Sequence, residues 1–132
     1  MNALLPLLGR LGLASIFILS GWGKMAGYSA TQGYMEAMGV PGMLLPLVIL
    51  LELGGGLAIL AGVFTRWVAF ALAGFSIVAA LVFHANLGDQ VQQIMFLKNF
   101  AIAGGFLMLA AHGPGALSIE ARLADRRRTP AY

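Results

Sequence analysis

Polar positions are scarce along this chain, and their placement divides it into segments. Apolar residues run almost unbroken through four windows, about Leu4 to Met25, Met43 to Phe64, Trp67 to Leu87 and Val91 to Ala111. Each window has roughly the twenty residues that a helix needs to cross the hydrocarbon core of a bilayer. The runs are apolar all round, without the alternation that a barrel strand would show. The pattern predicts an all-α membrane protein, an antiparallel bundle of four transmembrane helices forming one domain over residues 1–132. Only Thr65 and Arg66 separate the second and third windows, so these should form a tight hairpin. The stretch "AGYSATQGYMEAMGVPG" is polar and rich in Gly and Tyr, and predicts an excursion with one short interfacial helix. "NLGDQVQQ" joins the third and fourth spans. "HGPG" ends the fourth, and the tail, residues 112–132, predicts a short amphipathic helix. Leu117, Ala121, Leu123 and Ala124 would face the membrane there and the arginines the water. The first window is read as a retained span and not as a cleaved leader. It is long, no basic region precedes it except Arg10, which lies inside the run, and further spans follow.

Composition sharpens this picture. Of 132 residues, 60% are hydrophobic and 10% charged, whereas soluble domains are about half apolar and a quarter charged. So few charges could not cover a soluble surface, and the mean hydropathy of +0.88 agrees. The absence of cysteine excludes disulfides, cysteine-based zinc or iron–sulfur sites and thiol catalysis by this chain. The net charge of +3 reflects loop lysines and arginines, and no nucleic-acid partner is expected. Arg10, Arg66, Arg122, Arg126, Arg127 and Arg128 fall at one side of the four spans; only Lys24 and Lys98 fall towards the other, where Glu36 and Asp89 also lie. Positive charge collects on cytoplasmic loops, so the expected arrangement is multi-pass with both termini inside.

Against this background the stretch "VILLELGGGLAIL" stands out, because it sets Glu52 in the middle of a span. The residue lies about nine positions from the outer end, roughly 13 Å down the helix. A lone carboxylate at that depth costs at least a few kcal/mol, so Glu52 should face the bundle and find a partner, Lys98 or Lys24. Gly55 and Gly56 share its face and would admit another helix or a ligand. Gly54, Ala58 and Gly62 form a second stripe suited to helix contact. On the first span, Arg10, Phe17, Gly21 and Lys24 fall within about 40° of one face. On the fourth, Lys98, Gly105 and His112 share a face, with Asn99 beside Lys98. His84 lies late in the third. If these faces converge, Lys24, Glu52, His84, Lys98 and Asn99 form an outer polar cluster, with Arg10 and His112 at the inner end. Structural readings stand beside the functional one. Lys24 and Arg10 would equally snorkel to headgroups, His84 would be a wetted interfacial histidine, and the buried pair would only set helix register. Two histidines and one carboxylate at opposite depths make a poor metal set, so no metal site is expected. Phe17, Trp22, Tyr28, Tyr34 and Phe96 would either wall a planar ligand or form an aromatic belt. No phosphate loop, dinucleotide fingerprint or nucleophile–base pattern is present.

An arginine early in the first span, "SGWGK" at its end, "TQGYMEAMGVP", "ELGGGLAILAGVFTR", the late histidine of the third span, "LKN" and "GPGALSIE" follow one another in this order. Together they resemble the DoxX family across nearly the whole chain, with "SIE" where "SLD" is usual. The resemblance implies a four-helix protein of the bacterial inner membrane. Its group is named after a subunit of a thiosulfate:quinone oxidoreductase, and other members are associated with redox or quinone-related stress. The positions it carries over are Arg10, Lys24, Glu52, His84, Lys98 and Asn99. Two functional classes follow. One is a redox accessory, a membrane component of an oxidoreductase complex. It would bind a quinone or a small anion through Lys24 and Lys98, with Glu52 or His84 carrying protons. No intrinsic cofactor is evident, so a quinone and a redox partner protein would supply the electron chemistry. The other class is a non-enzymatic scaffold or small-solute transporter, for which four helices leave little room unless the chain forms a homo-oligomer.

Overall fold

The structure, a computed structural model, describes residues 3–128; the last four residues of the tail lie outside it. Six helical elements follow one another: α1 (Leu4–Ala26), α2 (Tyr28–Ala37), α3 (Gly42–Ala61), α4 (Thr65–Phe83), α5 (Gln90–His112) and α6 (Ile119–Arg128). The described residues contain no strand. Helices α1, α3, α4 and α5 are each long and apolar enough to cross a membrane, at 23, 20, 19 and 23 residues. They form the four-helix bundle expected of the sequence.

The second span is composite. Pro41 ends the α2 excursion, and a 3₁₀ turn at Gly42–Leu44 leads into helix, with Pro46 in the first turn where its missing N–H removes no helical bond. Leu50–Gly54 then forms one π-helical turn before α geometry resumes at Gly55–Ala61. Such a turn inserts an extra residue and re-aims the side chains around it; Glu52 sits at its centre.

Small residues set the closest approach in the bundle. A Cβ at Gly21 would stand 3.0 Å from the backbone nitrogen of Leu53, and one at Gly56 would stand 3.3 Å from the carbonyl oxygen of Ala14. Helices α1 and α3 therefore touch backbone to backbone, which larger residues would forbid. Phe17 fills the centre, edge-on to Phe106 of α5 at 5.4 Å and to Phe75 of α4 at 6.3 Å, the arrangement ring quadrupoles favour. Leu72, Ala69, Ala73, Ala103 and Ala110 complete this core. A second cluster, Met35, Leu45 and Ile49, fastens α2 across one end of the bundle, and Tyr34 stacks on Phe83 at 5.5 Å.

The α3–α4 turn lies slightly earlier than the sequence implies. It consists of Gly62, Val63 and Phe64, and Thr65 already begins α4. Gly62 has φ +74°, and a Cβ there would meet Arg10 and Ser118. Both constraints select glycine. Helix α4 also stops at Phe83 and not near Leu87, so His84 is its C-cap and residues 84–89 are a loop. The Asp89 carboxylate caps α5 by accepting from the Val91 N–H at 3.0 Å. Gly54 departs from the stripe expected of it, since it points outward, while Gly55 meets Leu72.

Candidate functional site

The second span turns its carboxylate inward. Glu52 retains 3% of its side-chain exposure, and Lys24, near the end of α1, donates to both oxygens, at 2.8 and 3.0 Å. The face shared by Arg10, Phe17, Gly21 and Lys24 is what brings this about: α1 buries Arg10, Ala14, Phe17 and Gly21. The ammonium is delivered from the next turn onto the π-helical segment of α3. One contact thus joins an element end and an irregular helix turn.

The pair borders a cavity of about 420 Å³ between the spans, closed at one end by α2. Its polar lining comprises Ser20, Lys24, Thr31, Tyr34, Glu52, Ser76, His84 and Asn99; its aromatic walls are Phe17, Phe75 and Phe83. The Ser76 hydroxyl donates to the carbonyl of Leu72, at 2.8 Å, and its oxygen remains an acceptor. His84 Nδ1 lies 2.9 Å from Gln92 Oε1. With that amide orientation the nitrogen donates, which leaves Nε2 as the acceptor of the neutral ring.

The expected outer cluster is assembled only in part. Lys24, Glu52, His84 and Asn99 all line the cavity, whereas Lys98 is exposed on the outer side of α5 and outside the lining. Helix α5 buries Ala103, Phe106 and Ala110, a face about 100° round from Lys98. With apolar residues on all its sides, α5 has little periodicity to reveal this. His112 likewise is exposed, at the rim of a smaller crevice of about 280 Å³ beside Arg10. Of the aromatic candidates, Phe17 and Tyr34 reach the cavity; Trp22 is 63% exposed and Phe96 packs on Phe100. Ser20, Thr31, Phe75, Ser76 and Phe83 escaped sequence reasoning. A search one helical turn either side of Lys24 would have found Ser20, and the i, i+7 pair Ser76–Phe83 marks the inward face of α4.

Arg10 does not snorkel. It is 1% exposed, and its Nη1 donates to the carbonyls of Leu60 and Ile59 at 3.4 and 3.5 Å, its Nη2 to that of Leu117. A cation over the last-turn carbonyls of α3 satisfies groups the helix leaves unpaired and complements its dipole. Its Nε is buried without a partner among the described residues. Nor do three of His, Cys, Asp and Glu come together there as a metal site would need.

A profile of the DoxX family matches residues 5–85. The chain belongs to the DoxX family. Among DoxX-like relatives, inner membrane protein YqjF of Escherichia coli (strain K12) is 56% identical over 121 residues, covering 92% of each chain. Inner membrane protein YphA of the same organism is 37% identical over 125 residues, covering 89% of each. No solved structure matches. This DoxX member is accordingly a multi-pass protein of the bacterial inner membrane.

Proposed function

We propose that the cavity between the spans holds a quinone head group and that the protein serves as a quinone-linked accessory of a membrane redox system. The observation that carries the reading is an ion pair between a buried Glu52 and a partly exposed Lys24, bordering a largely apolar cavity with aromatic walls. Its volume falls in the range of small-molecule sites, roughly 300–1,000 Å³. A quinone is planar, and its carbonyl oxygens gain negative charge on reduction. Lys24 and the Asn99 carboxamide, which has no hydrogen-bond partner among the described residues, are suitable donors. Phe17, Phe75 and Phe83 offer faces and edges to the ring. The lining reaches the outward-exposed Leu44 of α3 and Val78 of α4, which supports passage of an isoprenoid tail to lipid. With one lysine matched by one carboxylate, the site has no surplus positive charge from the pair, which favours a neutral ring over a small oxyanion. Two-electron reduction of a quinone also consumes two protons. Glu52 and His84, both in the cavity lining, would relay these, and a partner protein would supply the electrons.

Saturable binding of a quinone analogue to detergent-solubilised protein tests this. Lys24→Met or Glu52→Gln should weaken it at least about tenfold, or 1.4 kcal/mol, while Lys98→Met, outside the cavity, should leave it unchanged. Folding of each variant is checked by its melting transition. Absence of saturable binding to the wild type, or equal binding by both cavity variants, refutes the quinone site and leaves a scaffold role as the better reading.

A further inference from the structure

We propose that α6 and the α3–α4 corner form a binding surface for anionic phospholipid headgroups. This surface lies at the opposite end of the bundle from the cavity and does not depend on the quinone reading.

The first observation is that α6 is docked. The Glu120 N–H donates to the carbonyl of Gly62 at 3.1 Å, the Glu120 carboxylate accepts from the Thr65 N–H, and Leu117 O accepts from Arg10. Ser118 caps the helix, accepting from the Ala121 N–H at 3.1 Å. Glu120 and Ala121 are the half-buried side. The second observation concerns depth. Thr65, the residue bonded to Glu120, lies between Phe64 and Trp67, which are 71% and 79% exposed. Large aromatics standing out from the ends of spans mark the headgroup plane, so α6 is held at that plane.

The third observation is what α6 turns away from the bundle. At 100° per residue, Ile119, Leu123 and Arg126 share the outward face, with Arg122 and Arg127 on either flank. Ile119 and Leu123 are 45% and 49% exposed, and every arginine from 122 to 128 is exposed, as is Arg66. This corrects the expected separation of leucines from arginines, because the two kinds are interleaved. An interleaved face suits an interface in which apolar side chains enter the acyl boundary and guanidinium groups reach back to phosphates. Five arginines stand against two carboxylates, Glu120 and Asp125, and Glu120 is already bonded to Thr65. A guanidinium binds a phosphodiester in bidentate fashion. A nucleic acid would leave Ile119, Leu123, Phe64 and Trp67 uncovered, whereas a lipid surface covers them.

The test uses the full chain in detergent micelles with a fluorescent phosphatidylglycerol probe, displaced by unlabelled phosphatidylglycerol or phosphatidylcholine. Phosphatidylglycerol should displace the probe at least about tenfold more effectively. The preference should fall below about threefold in 1 M salt. It should fall likewise when Arg122, Arg126, Arg127 and Arg128 are all replaced by Gln, exposed changes that leave helix content by circular dichroism unaltered. Ile119→Ser with Leu123→Ser should weaken both lipids and preserve their ratio. Equal affinity of the wild type for the two lipids overturns the proposal, as does an undiminished preference in the four-arginine variant. Tighter binding of an acidic peptide or an oligonucleotide than of phosphatidylglycerol to the same arginines also overturns it.

Discussion

At Glu52 the carboxylate is almost wholly enclosed, while its partner Lys24 keeps 28% exposure. Burying an ion is costly, and close pairing recovers the cost only while both members are present. Lys24→Met therefore leaves an uncompensated buried acid and should lower stability by about 3 kcal/mol. Glu52→Gln should cost less, because the partly exposed lysine regains water. The double variant should recover a large share, giving a coupling of at least about 1 kcal/mol in denaturation of the detergent-solubilised protein. Simple additivity would show that the contact contributes nothing. That Glu52 needs a cationic partner was legible from its depth in an apolar run. Which lysine serves was not. Lys24 and Lys98 both lie at plausible depth, and only the rotation of α1 and α5 separates them. Arg10 is a similar case: its position permitted snorkelling, and the turn of α3 supplied the carbonyls that hold it inside.

At the scale of elements, the spans follow from apolar length, but their ends and irregularities follow from contacts. No residue in "LLELG" announces a π-helical turn; it arises where the backbone of α3 meets Gly21 of α1. Helix α4 begins at Thr65 because Glu120, more than fifty residues away, accepts from its N–H. That latch joins α6 to the bundle. Its loss in Glu120→Ala leaves a buried donor short of a partner and should cost about 1–2 kcal/mol. Trypsin should then cut after Arg122 faster, with the helix content of the spans unchanged. Cleavage at the wild-type rate would mean that α6 docks by other contacts.

Taken as a whole, the molecule has two unlike ends. One carries the start of α1, the 62–64 turn, the end of α5 and α6; the other carries α2, the 84–89 loop and the Lys24–Glu52 cavity that α2 closes. The arginines gather at the first, which the positive-inside tendency assigns to the cytoplasm. The chain has no cysteine, so single replacements are informative without further engineering. A membrane-impermeant maleimide applied to intact spheroplasts should label Gly33→Cys and Gly88→Cys and spare Ala124→Cys until the cells are opened. The reverse pattern would invert the topology and place the Lys24–Glu52 cavity in the cytoplasmic half.

What the sequence determined by itself is the membrane class, the number of spans, the inward demand of Glu52 and the family. These rest on the cost of exposing apolar surface to water or charge to lipid, which is summed along the chain and needs no partner to be known. The tertiary structure alone decided the choice of Lys24, the exclusion of Lys98, the burial of Arg10, the docking of α6 and the serine and aromatic lining of the cavity. In a bundle whose helices are apolar on every side, hydrophobicity no longer says which face turns inward. Helix rotation is set by where glycine and alanine let backbones approach, by where Phe17 and Phe106 fit, and by which polar groups can meet. Those are relations between distant segments.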